Sequence, residues 1–167
     1  MLQQIAANTE EVMQNMEHIV WSMQPSETNG HTIEAKLKDI GYGLLTIKNI
    51  QCNYSICNLV EVVCKEMELR KNIVLIAKEA INNIAKYSNA TIVAVSLSRQ
   101  NNDIILSITD DGNGFDMENY KPGNGLLNMQ TRAKALGGIT SIQSAIGKGT
   151  SITCSIPVTN ISDTAAL

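Results

Sequence analysis

The stretch from residue 78 to residue 125 constrains the fold most, because it joins a helical pattern to a strand and two glycine-rich turns. Around Glu79, apolar residues recur at helical spacing, which places Glu79 and Asn83 on one face, one turn apart. Two oxygen-bearing side chains in that arrangement can point at one hard cation or at its waters. The helix therefore predicts a place for a divalent cation, with Lys86 and Tyr87 on the next turn.

The rest of this stretch brings a carboxylate and free backbone N–H groups to glycine-rich turns. Residues 104–108 form an apolar run that leads into Asp110, Asp111 and a Gly-Asn-Gly turn, as a strand does when it ends at a sharp loop. A second glycine turn, residues 123–125, stands before the helical pattern of residues 126–136. Because a helix start offers unpaired N–H groups and the positive end of a dipole, it suits a phosphate.

Composition and charge exclude several classes of function. The 167 residues carry a net charge of −3, which gives no general attraction to nucleic acid. The cysteines form no CxxC pair, so we expect reduced thiols at Cys52, Cys57, Cys64 and Cys154. There is no signal-peptide pattern and no apolar run long enough to span a bilayer. We expect a cytoplasmic domain without membrane contact, and leave open an inner-membrane anchor in a longer parent protein.

The order of periodic segments predicts an α+β fold. Helices are predicted at 2–23, 32–47, from 59 or 71 to 87, and at 126–136, and strands at 49–57, 90–99, 103–109, 139–145 and 150–158. Because the later strands occur in consecutive pairs, a two-layer α/β sandwich is favoured over a doubly wound sheet. The chain divides into an amphipathic helical segment at 1–24, a linker at 25–31, a folded body at 32–158 and a frayed tail at 159–167.

These motifs, in this order, resemble the nucleotide-binding boxes of the GHKL ATPase superfamily. The resemblance covers about residues 33–158 and is strongest to the catalytic domain of sensor histidine kinases. Residues 78–83 read Lys-Glu-Ala-Ile-Asn-Asn, which is similar to the N-box Lys-Glu-Ala-x-x-Asn of one sub-group. The resemblance implies the Bergerat ATPase fold, a two-layer α/β sandwich with a mixed sheet. It also implies ATP between the helices and one face of the sheet, with Mg²⁺ beside the phosphates.

The resemblance implies a role for each motif residue. Glu79, Asn83 and Lys86 are the implied catalytic residues, and Asn83 is the implied Mg²⁺ ligand, with Glu79 acting through a water. The implied ATP-binding residues are Asn82, Asn83, Lys86, Tyr87, Asp110, Gly112, Gly114, Gly123, Gly125, Leu126 and Thr150.

The chemistry of the base explains several of these assignments. An acceptor-only carboxylate at Asp110 can bind the exocyclic amine of adenine and disfavours guanine, whose carbonyl would face it. Gly112 and Gly114 would let the backbone approach the ring without a Cβ in the way. Thr150 would support Asp110 or a bridging water. The N–H groups after Gly123 would bind the phosphates.

Residues 1–24 resemble the last helix of the dimerisation and phosphoacceptor hairpin of these kinases. Residues 19–25 read Ile-Val-Trp-Ser-Met-Gln-Pro, which is similar to the usual end of that helix. His18 stands where an acid is expected in that ending. Because it is followed by Ile19 rather than by an acid, we assign it to a helix surface or an interface rather than to phosphate transfer, and His31 to the linker. We expect the phosphoacceptor histidine to lie outside this chain.

The resemblance implies transfer of the ATP γ-phosphoryl group to that histidine and then to an aspartate of a response regulator. The implied partners are ATP, the phosphoacceptor hairpin of the same or a partner subunit, the response regulator, and a second copy in a homodimer. Two alternatives stay open: a serine kinase of the anti-sigma type, and a non-catalytic module that senses a nucleotide by binding alone. The ending of the first helix favours the histidine kinase over the serine kinase, and the intact Glu79, Asn83, Asp110 and glycine turns argue against the non-catalytic module.

Overall fold

The computed structural model of the chain describes residues 32–120 and 123–158, together with Met16, Val20 and Trp21. These three residues are helical. Several predictions lie outside the described residues: the rest of the segment at 1–24 with His18, the linker at 25–31 with His31, and the tail at 159–167. The predicted division of the chain therefore stays a prediction.

Within residues 32–120 and 123–158, four α-helices form one layer: α1 (Ile33–Leu45), α2 (Leu59–Val63), α3 (Met67–Asn83) and α4 (Asn124–Ala135). Thr32 caps α1, since its side-chain oxygen accepts a hydrogen bond from the backbone N–H of Ala35 at 3.1 Å. The single helix predicted from 59 or 71 to 87 is divided into α2 and α3. A 3₁₀ turn, Thr46–Lys48, follows α1, and a π-helical turn, Ile84–Ser88, follows α3.

Five strands form the second layer in the order β1-β2-β3-β5-β4. They are β1 (Gln51–Ile56), β2 (Ile92–Gln100), β3 (Asp103–Asp110), β4 (Ile139–Ser144) and β5 (Thr150–Pro157). Strand β1 runs parallel to β2, and the other neighbours are antiparallel. The mixed sheet that the resemblance implies is thus confirmed.

The core lies between the helices and one face of the sheet. Buried side chains alternate along the strands, as Val95 and Leu106 show, and they face the fully buried Ile76 and Ile81 of α3. The residues between them lie on the opposite face, where Ser and Thr recur along β3 and β5. This alternation confirms the predicted two-layer sandwich. Among the residues that the structure describes, no helix is both long and apolar enough to cross a membrane.

Trp21 joins the segment before the sandwich to the core. Its side chain is only 7% exposed, and the guanidinium carbon of Arg70 lies 4.6 Å from the centre of its ring. Arg70 is itself buried and lies 3.9 Å from the carboxylate of Glu61 on α2. Burying a charge is costly unless it has partners, and the indole face and the carboxylate both provide favourable electrostatic contacts.

Candidate functional site

A cavity of about 420 Å³ opens between the end of α3, the inner face of β3 and β5, and the loop that follows β3. This volume is within the usual range for sites that bind small molecules. Its walls are formed by Ala80, Asn83, Ile84, Tyr87, Ser88, Ile108, Asp110, Gly114, Phe115, Tyr120, Leu126, Thr150 and Ile152. Ile84, Ile108 and Ile152 are among its apolar residues, and Asn83, Asp110 and Thr150 are among its few polar ones.

Asp110 is the buried carboxylate of this cavity. It is the last residue of β3 and is only 4% exposed. The backbone N–H of Gly112 donates to its Oδ1 at 2.8 Å, and the backbone N–H of Thr150 donates to the carboxylate as well. Burial raises the pKa of Asp110, and these two N–H donors only partly offset the rise. Asp110 therefore presents a fixed acceptor to a ligand in the cavity.

The neighbouring Asp111 is bonded to the start of β2 instead of facing the cavity. Its carboxylate accepts hydrogen bonds from the backbone N–H groups of Ile92 and Thr91, both at 2.8 Å, and from the Thr91 hydroxyl at 2.6 Å. These donors lower the pKa of Asp111, with the N–H of Ile92 as the main cause. Asp111 thus fastens the glycine loop to the start of β2, and leaves Asp110 as the carboxylate of the cavity.

Glycine is required at positions 112 and 114 because backbone atoms of other chain segments lie too close for a Cβ. A Cβ at Gly112 would overlap the carbonyl oxygen of Ser88, and one at Gly114 would overlap the carbonyl oxygen of Ala145. Gly114 also has a φ of +59°, in the region that favours glycine. The space that we predicted these glycines would leave for a purine is therefore taken by other chain segments. Their roles in binding ATP stay predictions.

The predicted pair on α3 lies at the edge of the cavity. Asn83 is part of the wall, and Glu79 points its carboxylate at Gly125 in the first turn of α4. Lys86 is exposed on the π-helical turn. Within the described residues, the cavity wall includes the predicted Asn83, Tyr87, Asp110, Gly114, Leu126 and Thr150. It does not include Glu79, Asn82, Lys86, Gly112, Gly123 or Gly125.

The π-helical turn sets the position of Tyr87 at the cavity mouth. Ser88 closes this turn, since its hydroxyl donates to the carbonyl of Ile84 at 2.9 Å and accepts from the N–H of Ala90 at 3.1 Å. The carbonyl of Ser88 accepts from the N–H of Asn113 at 2.6 Å, which ties the turn to the glycine loop. Tyr87 stays 73% exposed, so its ring is free to cover a ligand.

Sequence reasoning missed two aromatic residues of the wall and a serine behind it. Phe115 and Tyr120 are both in the loop after β3, and their ring centroids lie 4.3 Å apart at the rim. Ser144, at the end of β4, bonds to Phe115 and Thr150. The aromatic residues in a short glycine-bounded loop were a signal for the first pair. The sequence around Ser144 carried no such signal, because its contacts arise from strand pairing.

The site has two polar parts: the carboxylate of Asp110, which suits a base, and the edge at Asn83 and Glu79, which suits a charged group. Asn83 and Glu79 offer amide and carboxylate oxygens on one face, and the N-terminus of α4 lies against them. Within residues 32–120 and 123–158, no group of three or more His, Cys, Asp or Glu side chains is placed to hold a metal ion. A cation at this edge would therefore need ligands from the bound molecule or water as well.

Comparison with known proteins matches this chain to a family of ATPases and to sensor histidine kinases. A family model described as "Histidine kinase-, DNA gyrase B-, and HSP90-like ATPase" matches residues 68–160. Sensor histidine kinase LiaS of Bacillus subtilis is 37% identical over 84 residues, which cover 50% of this chain and 23% of LiaS. Oxygen sensor histidine kinase NreB of Staphylococcus carnosus is 35% identical over 95 residues, covering 56% of this chain and 27% of NreB. The chain thus spans about a quarter of the length of these relatives.

Solved structures show a similar fold. The blue-light activated histidine kinase of Erythrobacter litoralis EL346 superposes with a TM-score of 0.73 at 17% identity, over 91% of this chain and 50% of that one. Histidine kinase AdeS of Acinetobacter baumannii has a TM-score of 0.66 at 18% identity, over 95% of this chain and 82% of the other.

Proposed function

We propose a function for this chain on the premise that it belongs to the histidine kinase-, DNA gyrase B- and HSP90-like ATPase family, whose model matches more than half of its residues. The chain binds ATP with Mg²⁺ in the cavity beside Asp110. It then transfers the γ-phosphoryl group to a histidine outside this chain. The observation that carries this proposal is the buried carboxylate of Asp110 at the inner end of a cavity with a polar edge at Asn83.

The deep end of the cavity supports recognition of adenine. Adenine offers an exocyclic amine as a hydrogen-bond donor. The Asp110 carboxylate can accept from it, because its backbone donors do not occupy all of its lone pairs. Ile108 and Ile152 provide an apolar surface for the ring, and the exposed Tyr87 provides an aromatic face at the mouth. A guanine carbonyl would face the carboxylate and lose a hydrogen bond, which disfavours guanine nucleotides.

The polar edge suits a magnesium triphosphate. Asn83 would bind Mg²⁺ through its amide oxygen, and Glu79 would hold a water of the ion. The unpaired N–H groups in the first turn of α4 would bind the phosphates, since Gly123 and Gly125 present no side chain there. When bound, Mg²⁺ neutralises charge on the transferring phosphoryl group. Lys86, exposed one turn beyond Asn83, would add positive charge.

The partners follow from the same proposal. The named relatives are sensor histidine kinases, which favours a histidine as the acceptor over the serine of an anti-sigma kinase. We propose that a phosphoacceptor hairpin, of the same or a partner subunit in a homodimer, presents this histidine. A response regulator then takes the phosphoryl group on an aspartate. The need for ATP assigns the domain to the cytoplasm.

Two measurements test the proposal. Calorimetric titration with ATP and Mg²⁺ tests binding, and we expect a single site that is lost when ATP is replaced by GTP. Incubation with labelled ATP, with and without a separately supplied phosphoacceptor hairpin, tests transfer. We expect label on the hairpin alone, in the acid-labile form of phosphohistidine. Acid-stable label would favour the serine kinase, and binding without any transfer would favour the nucleotide-sensing module.

A further inference from the structure

We infer that Ser144 is a positioning residue that sets the selectivity of the cavity for an amino-purine, by fixing the hydroxyl of Thr150 as a hydrogen-bond acceptor. This inference rests on the proposed function, because it concerns the base-recognition end of the same site. Ser144 acts through Thr150 and is not itself part of the cavity wall.

Three side chains form one row across three neighbouring strands. Asp110 on β3 pairs with Thr150 on β5, and Thr150 pairs with Ser144 on β4. Thr150 lies two residues before the buried Ile152, so its side chain is on the inner face of the sheet that borders the cavity. The row thus runs from the buried carboxylate, through a hydroxyl in the wall, to a hydroxyl behind it.

The hydroxyl of Ser144 has a full set of hydrogen-bond partners. Its Oγ donates to the carbonyl of Gly149 at 3.0 Å and accepts from the backbone N–H of Phe115 at 2.9 Å. It also lies 3.0 Å from Oγ1 of Thr150. A hydroxyl has one proton and two lone pairs. The distance alone allows either hydroxyl to be the donor between Ser144 and Thr150. Because the carbonyl of Gly149 can only accept, we assign the Ser144 proton to it, and this assignment makes Thr150 the donor to Ser144.

This assignment determines what Thr150 can offer a ligand. With its proton directed at Ser144, Oγ1 of Thr150 has only lone pairs left for the cavity. Asp110 is also an acceptor, and the backbone N–H of Thr150 is already used by its carboxylate. The two groups together therefore favour the amine of adenine, or a water bridged to it, and disfavour a carbonyl at the same position. Without Ser144, the Thr150 hydroxyl could turn and donate to such a carbonyl.

The test compares ATP with ITP, which carries a carbonyl in place of the amine at this position of the purine and a proton on the neighbouring ring nitrogen. The second difference is the same for every variant, so the change in preference between variants is what is read. Dissociation constants are measured by calorimetry with Mg²⁺ for the wild type and Ser144→Ala. We expect the wild type to prefer ATP, and the preference to fall by about tenfold in Ser144→Ala, the equivalent of one hydrogen bond. Ser144→Thr keeps a hydroxyl and should keep the wild-type preference.

Ser151→Ala is the matched control. Ser151 follows Thr150 on β5, and its hydroxyl bonds to Thr109 at 3.0 Å on the opposite face of the sheet. This variant also removes one serine hydroxyl that bonds to a threonine on a neighbouring strand, but one remote from the cavity. It should leave the preference for ATP over ITP unchanged. If Ser144→Ala does not fold, Ser144→Cys replaces it with the same expectation, because a thiol is a weak donor and acceptor.

A double substitution separates positioning from general damage. Thr150→Val keeps the shape of the side chain and removes its hydroxyl. In that background Ser144→Ala should no longer change the preference, because no hydroxyl remains to reorient. An equal fall in both backgrounds, or none in Ser144→Ala alone, would overturn the inference while leaving ATP binding intact. A wild type that binds neither nucleotide would overturn the proposed function itself.

Discussion

Gly125 in the first turn of α4 lies directly against the carboxylate of Glu79 on α3, so that a Cβ at Gly125 would overlap Oε1 of Glu79. The same Cβ would lie 3.3 Å from Nδ2 of Asn83. The start of α4 therefore sits on the face of α3 that bears the two residues proposed to serve Mg²⁺. The absence of a side chain at Gly125 permits this contact, and it fixes the direction in which Glu79 points.

We predict that Gly125→Ala weakens binding of MgATP by about tenfold, because Glu79 must turn away from its position at the polar edge. The free energy of unfolding should change by less than about 1 kcal/mol, since a carboxylate at the end of a flexible side chain can move and alanine favours a helix over glycine. Calorimetric titration and urea unfolding measure the two effects.

The control for Gly125→Ala is the same substitution in a Glu79→Ala background. There the methyl group has no carboxylate to displace, so affinity for MgATP should not fall further. An equal loss in both backgrounds would mean that the methyl group obstructs the phosphates directly, and that the position of Glu79 is unimportant.

We predict opposite effects of Asp110→Asn on stability and on binding. Burial raises the pKa of Asp110 above its unfolded value, so the folded chain holds the proton more tightly. The charged carboxylate therefore costs stability above the raised pKa, and this cost disappears as the pH falls towards the ordinary value of about 4. Asp110→Asn should raise the thermal midpoint at pH 7, and should weaken ATP binding by at least about tenfold through loss of the charged acceptor.

The adjacent Asp111 provides the control. Its pKa is lowered by three hydrogen-bond donors, so its stabilising contribution is present at neutral pH and is lost as the pH falls through the folded pKa. Asp111→Asn should therefore lower the thermal midpoint at pH 7, while Asp110→Asn raises it. Thermal unfolding between about pH 2 and about pH 8 covers both windows, because the Asp110 effect lies above the ordinary value of about 4 and the Asp111 effect lies below it. Equal shifts in the two variants would contradict the division of tasks between these carboxylates.

Local sequence was sufficient to predict Asp110 at the end of a strand, whereas the mixed sheet was implied by the family resemblance. An apolar strand followed by Asp-x-Gly-x-Gly specifies both the end of β3 and the carboxylate there, without reference to distant residues. The helical spacing of Glu79 and Asn83 likewise depends on one helix alone. Such features follow from the periodicity of a strand or a helix.

Features that depend on distant residues were not predictable in this way. The reason for glycine at position 112 is the carbonyl of Ser88, and the bonds of Ser144 reach Phe115 across the sheet edge. The division between α2 and α3 was missed because residues 64–66 include neither Gly nor Pro. Helix α3 begins after Glu66 without a side-chain cap, so no capping bond marked its start.

We predict that Gly149→Ala destabilises the fold much more than Gly147→Ala. Both glycines have positive φ, +71° and +72°, so both alanines should lose about 1 kcal/mol from backbone strain. A Cβ at Gly149 would also overlap the carbonyl oxygen of Asp110, whereas one at Gly147 meets nothing within 4 Å. We expect Gly149→Ala to cost at least about 2 kcal/mol more in urea unfolding. Equal costs would show that β3 and the turn before β5 can separate freely.

We predict that Trp21→Ala lowers the free energy of unfolding by about 3 kcal/mol, because the buried indole and its contact with the Arg70 guanidinium are both lost. Met16→Ala is the matched control, since Met16 is also helical but 60% exposed, and it should change stability by less than about 0.5 kcal/mol. Urea unfolding followed by circular dichroism measures both, as Trp21 is the one tryptophan of the sequence and its fluorescence is lost with it.

Trp21→Phe keeps an apolar ring with a weaker attraction for the guanidinium, so its loss of unfolding free energy should lie between those of Trp21→Ala and Met16→Ala. Equal values for Trp21→Ala and Met16→Ala would mean that the buried Trp21 indole adds nothing to the stability of the sandwich.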